Sequence, residues 1–295
     1  MKSKQDSQVF IVSISSLNSK HMEDVKKIVR EKYGQIAKES NDPQKMVDCG
    51  CGCGCDTTYT IFSENYLGKE GYLPEADLGL GCGLPTEHAG IKPGDTVVDL
   101  GSGAGNDCFV ARALTGATGR VIGIDITREM VDKARENARK LGYQNVQFRL
   151  GDIENMPITS KIADVIISNC VLNLVPDKKM AFLEICRVLK MGGHFCISDV
   201  VTRGELPAEI KNAAEMYAGC VAGAIDIKEY LGIIDEMGFI NVEIKKEKSI
   251  DVPDEILSNY LSEKGIREYR ESGTGIFSIT VVGEKPYKGC ACCGN

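Results

Sequence analysis

The sequence predicts a doubly wound α/β fold built on a mostly parallel sheet. Three features predict it: strands and helices alternate from residue 94 onward, a glycine-rich turn follows the first of those strands, and acidic residues close the next two. Such alternation sets consecutive strands parallel, with helices covering both faces of the sheet.

Taken in order, Val9 to Ser13 reads as a short strand. His21 to Lys38 reads as an amphipathic helix, because Val25, Ile28, Val29, Tyr33 and Ile36 recur at helical spacing. The glycine-rich CGCGCD that follows cannot form a regular helix and is expected to be a loop or a metal-organised turn. Thr96 to Leu100 is the first apolar strand of the alternating region, Asn106 to Leu114 a helix, Val121 to Asp125 a strand and Arg128 to Leu141 a charged helix. Val146 to Leu150, Ala163 to Ser168 and His194 to Asp199 supply three more strands, with a helix from Lys178 to Leu189 between the last two. Beyond residue 206 the pattern loosens. Ala208 to Tyr217 and Ile227 to Met237 read as helices, Val242 to Lys245 and Ile276 to Val282 as strands, together a smaller appended α+β layer.

Composition narrows the function. With 295 residues and 43% hydrophobic content the chain can bury a large core. A net charge of −7, without a Lys/Arg cluster interleaved with aromatics, argues against a nucleic-acid partner. No apolar run approaches the roughly 18 residues that span a bilayer, and the polar start MKSKQDSQ lacks a signal-peptide core, so a cytoplasmic protein without membrane contact is expected. Thirteen cysteines are unusual there. Because the cytosol keeps thiols reduced, such a count points to metal, redox or catalytic chemistry.

The first strand runs into Asp99-Leu-Gly-Ser-Gly-Ala-Gly105, followed directly by a helix. Gly101, Gly103 and Gly105 allow a sharp turn and a close ligand approach, at the carboxyl end of a strand where open α/β sheets bind nucleotides. Asp125 ends the second strand, where a carboxylate can accept both hydroxyls of a ribose, and Asp152 closes the third. The set, with G-x-G-x-G in place of G-x-G-x-x-G, resembles the class I S-adenosylmethionine methyltransferases. The resemblance implies a Rossmann-like fold in which Asp99 and the glycines hold the methionine end, Asp125 the ribose, and Asp152 with Ile153 the adenine. Ser102, Ile126, Met130 and Asn169 join the expected cofactor set. A NAD-binding reading of the same turn stays open.

The cysteines carry the argument about substrate. Cys82 sits in LGLGCGLP, Cys170 in ISNCVLNL and Cys220 in MYAGCVAGA, each beside a glycine or a strand end. In the methyltransferase strand order the fourth strand neighbours the first, which brings Cys170 beside the cofactor loop, with Cys82 and Cys220 converging from two sides. Three thiolates suit a soft centre, and trivalent arsenic takes three ligands while keeping a lone pair able to attack a sulfonium methyl. No proton needs removing, which fits a chain whose histidines, His21, His88 and His194, form no recognisable catalytic constellation. Cys108, Cys186 and Cys196 lie in apolar repeats and read as core residues.

At these three motifs the chain resembles the arsenite methyltransferases. The resemblance implies arsenic held by Cys82, Cys170 and Cys220, S-adenosylmethionine as cofactor, arsenite and methylarsenite as substrates, detoxification as the role, and a thiol reductant such as thioredoxin or glutathione as partner. It also implies an N-terminal cysteine that pairs with the first during turnover, for which Cys49, Cys51, Cys53 and Cys55 are all candidates. The expected domains are a Cys-rich N-terminal extension over 1–70, the methyltransferase domain over 71–205, an arsenic-binding α+β domain over 206–284 and a Cys-rich tail over 285–295. Two other readings compete: a methyltransferase acting on an organic carbon acid such as a quinone or sterol, and a soft-metal binder on a methyltransferase scaffold.

Overall fold

The structure, a computed structural model, describes residues 22–40, 65–206, 221 and 223–287. The expected strand at 9–13, helix at 208–217, Cys49 to Cys55, Cys220 and the tail cysteines Cys290, Cys292 and Cys293 lie outside the described residues.

A helix over residues 22–39 (α1) comes first, then a short turn of helix at Pro85–His88 (α2). The alternating region follows: β1 Thr96–Leu100, α3 Asn106–Thr115, β2 Arg120–Asp125, α4 Arg128–Lys140, β3 Val146–Leu150, β4 Ala163–Asn169, α5 Lys178–Val188 and β5 Leu189–Arg203. The chain continues through α6 Ile227–Glu236, β6 Ile240–Ile250, α7 Asp254–Leu257, α8 Glu263–Glu271 and β7 Gly275–Glu284. Strand order is β3-β2-β1-β4-β5-β7-β6, parallel from β3 to β5 and antiparallel at β5/β7 and β7/β6. The doubly wound, mostly parallel sheet expected from the sequence is therefore present. The segment beyond residue 206 enters this same sheet through β7 and β6, and α7 and α8 help enclose a small core at the carboxyl ends of β4 and β5.

Side-chain alternation explains the double winding. Val97, Val121, Val165 and Ile167 face one core, shared with Phe109 and Ala111 of α3 and Val131 and Ala134 of α4. Their neighbours Val98, Ile122 and Ile166 face the other, shared with Phe182 and Ile185 of α5 and Tyr230 and Ile234 of α6. A strand buried on both faces must be apolar at every position, which is why these strands read as continuous hydrophobic runs. Aspartates cap two helices on the second face: Asp177 accepts from the Met180 N–H at the start of α5, and Asp226 from the Lys228 N–H at the start of α6.

On α1 the apolar stripe is shifted from the expected one. Ile28 is 63% exposed, whereas Ala37 is buried and Val29 and Tyr33 turn toward the body of the protein. Spacing alone admits either side of a wide stripe, and the partner surface selects one. β5 is longer than the strand expected from His194, beginning at Leu189 and carrying Gly192 and Gly193. Its register against β4 shifts between Ala163 and Val165, so a turn-like glycine pair is absorbed as an irregularity within the strand. Among the described residues no helix is long and apolar enough to cross a membrane.

Just past β7, Lys285 is fully buried and donates to the Cys186 and Leu189 carbonyls at 2.5 and 2.9 Å. These oxygens lie at the C-terminal end of α5, where intrahelical donors run out and a cation meets the helix dipole favourably. Replacing Lys285 with Met keeps the apolar stem but strands both carbonyls. Urea unfolding of Lys285→Met should show a loss of about 2–4 kcal/mol, and a loss below the measurement error would show that the cap is dispensable.

Candidate functional site

β1 and β4 run side by side with Leu100 opposite Ser168, so the turn after β1 and the end of β4 emerge together. Above them opens a cavity enclosing about 1100 Å³ of space continuous with solvent. Asp99, Gly101, Ser102, Gly103 and Asn169 line it from these two strands. Asp125, Ile126 and Met130 line it from the end of β2 and the start of α4, and Asp152 with Ile153 from the end of β3.

Of the expected cofactor set only Gly105 is absent from the lining, and its glycine has a different cause. Its φ is +101°, and a Cβ there would lie 2.8 Å from the rings of Phe109 and Phe148. Gly105 thus serves the packing of α3 on the sheet. Gly103, which lines the cavity with Gly101, has φ +51° and open space where a side chain would stand. Its N–H donates to Asp125 Oδ2 at 2.9 Å, while Asp125 Oδ1 accepts from Thr127 N–H at 2.8 Å. The ribose candidate thereby holds the glycine turn in shape. Ser102 Oγ is buried with no hydrogen-bond partner and points beneath the turn, 2.6 Å from where a Cβ on Gly123 of β2 would stand, so only the rest of Ser102 faces the cavity.

The structure adds groups that the sequence reading missed. Asp107, in the first turn of α3, is buried against the cavity and accepts from Tyr66 Oη at 2.9 Å and from Asn169 Nδ2 at 3.1 Å. Asp77 also lines the cavity. α1 covers one side with Lys26, Val29 and Tyr33, and Lys26 forms ion pairs with Asp152, at 2.6 Å, and Glu154. For Asp107 a signal existed: a carboxylate two residues after a glycine turn stands where a helix dipole and a ligand both lie. For Lys26 and Tyr66 none did, since both come from outside the alternating pattern.

The wall is strongly acidic. Asp77, Asp99, Asp107, Asp125 and Asp152 face Lys26 as the one basic side chain among the described lining residues. Burial pushes the Asp99 carboxyl well above the usual range, and the neighbouring charge of Asp107 raises it further. Asp107 is pushed up to about 6 by burial, against hydrogen bonds from Asn169 and Tyr66 that favour its anion. Asp125 is likewise raised by burial, opposed by the Thr127 and Gly103 N–H groups. Anions so poorly solvated favour a cationic ligand. The sulfonium and ammonium of S-adenosylmethionine match such a wall, whereas the diphosphate of a dinucleotide would meet it with like charge.

Cys170 follows directly on Asn169, lines the cavity and adopts φ +62°, a conformation uncommon outside glycine, with its N–H donated to Ser198 O at 2.7 Å. Cys82 and Cys170 are both buried in one apolar cluster with Val200, Val221 and Ile276. The structure therefore brings together two of the three expected thiols, and Val221, the neighbour of the third, packs in the same cluster. No group of three His, Cys, Asp or Glu side chains among the described residues is arranged to hold a metal ion. Cys108, Cys186 and Cys196 are fully buried in the cores. Burial pushes the Cys196 thiol up to about 12, and Cys108, also held protonated by burial, donates to Asp99 Oδ2 at 3.2 Å.

Residues 91–238 match the family model for a methyltransferase domain. The chain is 41% identical over 274 residues to the arsenite methyltransferase of Halobacterium salinarum, covering 90% of this chain and 67% of that one. It is 31% identical over 243 residues to that of Aquipseudomonas alcaligenes, covering 80% and 68%. The chain thus spans about two thirds of the length of these relatives. Among solved structures, it superimposes on an arsenic(III) S-adenosylmethionine methyltransferase from Chlamydomonas reinhardtii with a TM-score of 0.57 and 28% identity, covering 78% of this chain and 74% of that one. The YcgJ protein of Bacillus subtilis, at a TM-score of 0.58 and 20% identity, shares the fold. An acidic cavity on a class I sheet, lined by Cys170 with Cys82 in the same buried cluster, accords with these matches: the chain belongs to the arsenite methyltransferase family, enzymes whose methyl donor is S-adenosylmethionine.

Proposed function

We propose that this chain methylates trivalent arsenic, holding it on the thiolates of Cys82, Cys170 and Cys220 so that the arsenic lone pair attacks the methyl group. The supporting observation is that Cys170 faces the cofactor cavity while sharing a buried apolar cluster with Cys82 and Val221. S-adenosylmethionine supplies an electrophilic methyl on a sulfonium centre. Asp99 and Asp107 would meet the ammonium end, Asp125 the ribose, and Asp152 with Ile153 the adenine. The protein's task is to fix the arsenic beside the methyl donor and to keep water out, since no proton has to be moved in the transfer. The As–C bond would form with the lone pair as the donor's S–CH3 bond breaks and its electron pair leaves on the thioether sulfur, which takes arsenic from the trivalent to the pentavalent level. A thiol reductant such as thioredoxin or glutathione would return it, with an N-terminal cysteine among Cys49, Cys51, Cys53 and Cys55 as the relay. Cytoplasmic arsenic detoxification is the corresponding role.

Incubation with arsenite, S-adenosylmethionine and a thiol should give methylated arsenic detectable by mass spectrometry. Cys170→Ser and Cys220→Ser should each lower turnover by about 100-fold or more while leaving S-adenosylmethionine affinity within about twofold. A folded, cofactor-binding protein that makes no methylarsenical would reject the proposal, and equal activity in the serine variants would return the organic-substrate reading.

Asp107 sets a pH dependence. Its carboxyl is raised to about 6 from an ordinary 3.8, so between those values the folded protein holds a proton that the unfolded chain has released, and stability falls as pH rises across that window. For a cationic ligand the sign is opposite, because the anion it pairs with appears only as pH rises through about 6. Calorimetry at pH 5 and pH 7.5 should show cofactor binding about tenfold weaker at the lower pH, with the difference much reduced in Asp107→Asn. Flat affinity across this range would exclude Asp107 from the cofactor's charge complement.

A further inference from the structure

The glycine-rich loop that carries Cys82 is anchored by the buried side chains of Cys82 and Leu84, and its backbone is held on three sides as well. Asn169 Oδ1 accepts from the Cys82 and Gly83 N–H groups at 3.0 and 3.2 Å, and Asn169 Nδ2 donates to Gly83 O at 2.8 Å. Because backbone N–H groups can only donate, these contacts also fix which way the amide faces. From β7, 196 positions along the chain, Ser278 Oγ donates to Cys82 O at 2.6 Å. From β5, Ser198 acts as a stop: a Cβ on Gly83 would lie 2.5 Å from Ser198 Oγ, which is itself bonded to Thr280 Oγ1 at 2.8 Å. The Cys170 N–H is donated to the carbonyl of that same Ser198. One short stretch of β4, β5 and β7 thus holds the backbones of both cysteines.

We propose that Asn169, Ser198 and Ser278 form a seat that positions Cys82 relative to Cys170, and that its Ser198 and Ser278 side sets affinity for a thiophilic substrate without setting affinity for the cofactor, whose cavity only Asn169 of the three also lines. The proposal rests on Cys82 being an arsenic ligand, as argued above. Three sulfurs can share one small atom only if their spacing is fixed to a few tenths of an ångström, and a glycine-flanked loop left unpinned would give up that spacing on every binding event. Ser278 and Ser198 lie off the cofactor cavity, so their effect is separable from cofactor binding.

Two substitutions reach the seat from opposite sides. Ser278→Ala removes the hydroxyl that holds Cys82 O, and Gly83→Ala drives the loop off Ser198 without touching Ser278. Arsenite binding by equilibrium dialysis should weaken about tenfold or more in each, with S-adenosylmethionine affinity by calorimetry within about twofold of the parent. X-ray absorption at the arsenic edge should show fewer sulfur neighbours than in the parent. Parent-like arsenite binding in the variants, or a parallel loss of cofactor affinity, would overturn the seat. Should Ser278→Ala fail to fold, Gly83→Ala decides alone. Cys82→Ser, measured alongside, separates the two levels: unchanged arsenite binding there removes Cys82 as a ligand, whereas a loss there with none in the alanine variants overturns the seat only.

Discussion

The parallel pairing of β1 with β4 at the middle of the sheet is the constraint on which the rest of the molecule depends. Leu100 lies opposite Ser168, so the glycine turn that begins after Leu100 and the Asn169–Cys170 step that follows Ser168 leave the sheet as immediate neighbours. A crevice is created there because α3 leaves β1 on one face while α5, which follows β4, packs on the other. Under the proposed function, the methyl donor and the thiols would share one mouth for this topological reason. β5 and β7 then widen the floor on the β4 side, supplying Ser198 and Ser278 beneath the Cys82 loop.

This arrangement carries an electrostatic cost. Asp99, Asp107 and Asp125 are buried and all raised, and Asp199 within β5 is pushed up to about 7 by burial despite the nearby charge of Lys178. A sheet selected for stability alone would not gather carboxylates where water cannot reach them. Tyr66, Asn169 and the backbone N–H groups of Gly103 and Thr127 offset part of the penalty by donating to these acids. The left-handed backbone at Cys170 is a second concession of the same kind, accepted where the thiol must turn off the strand toward the cavity.

What was legible in the sequence follows from the range over which each feature is determined. Asp99, Gly103, Asp125 and Asp152 lie at or just past strand ends, and a strand followed by a turn and a helix is written locally, so their common cavity could be anticipated. The nearness of Cys82 to Cys170 needed one step more, the order of strands, which the fold class supplies. Lys26, Tyr66 and Ser278 were out of reach because each meets the site through contacts spanning from 41 to 196 positions, and nothing local distinguishes them from other lysines, tyrosines or serines. Gly105 shows the reverse case. Its position in the motif was legible, but the reason for a glycine there, two phenylalanine rings against its α-carbon, belongs to packing that only the folded chain displays.

The insertion of β7 between β5 and β6 has a consequence for how the protein is made. β7 is the last strand among the described residues, yet it lies inside the sheet, with β5 on one side and β6 on the other. Every strand that shapes the cofactor cavity precedes residue 204, whereas the hydroxyl that holds the Cys82 carbonyl arrives at residue 278. As the chain leaves the ribosome, the strands around the cavity can organise early, but the seat of the Cys82 loop waits for β7 to slide into the gap between β5 and β6. The proposed thiol site is thereby put in order only after the cavity it adjoins.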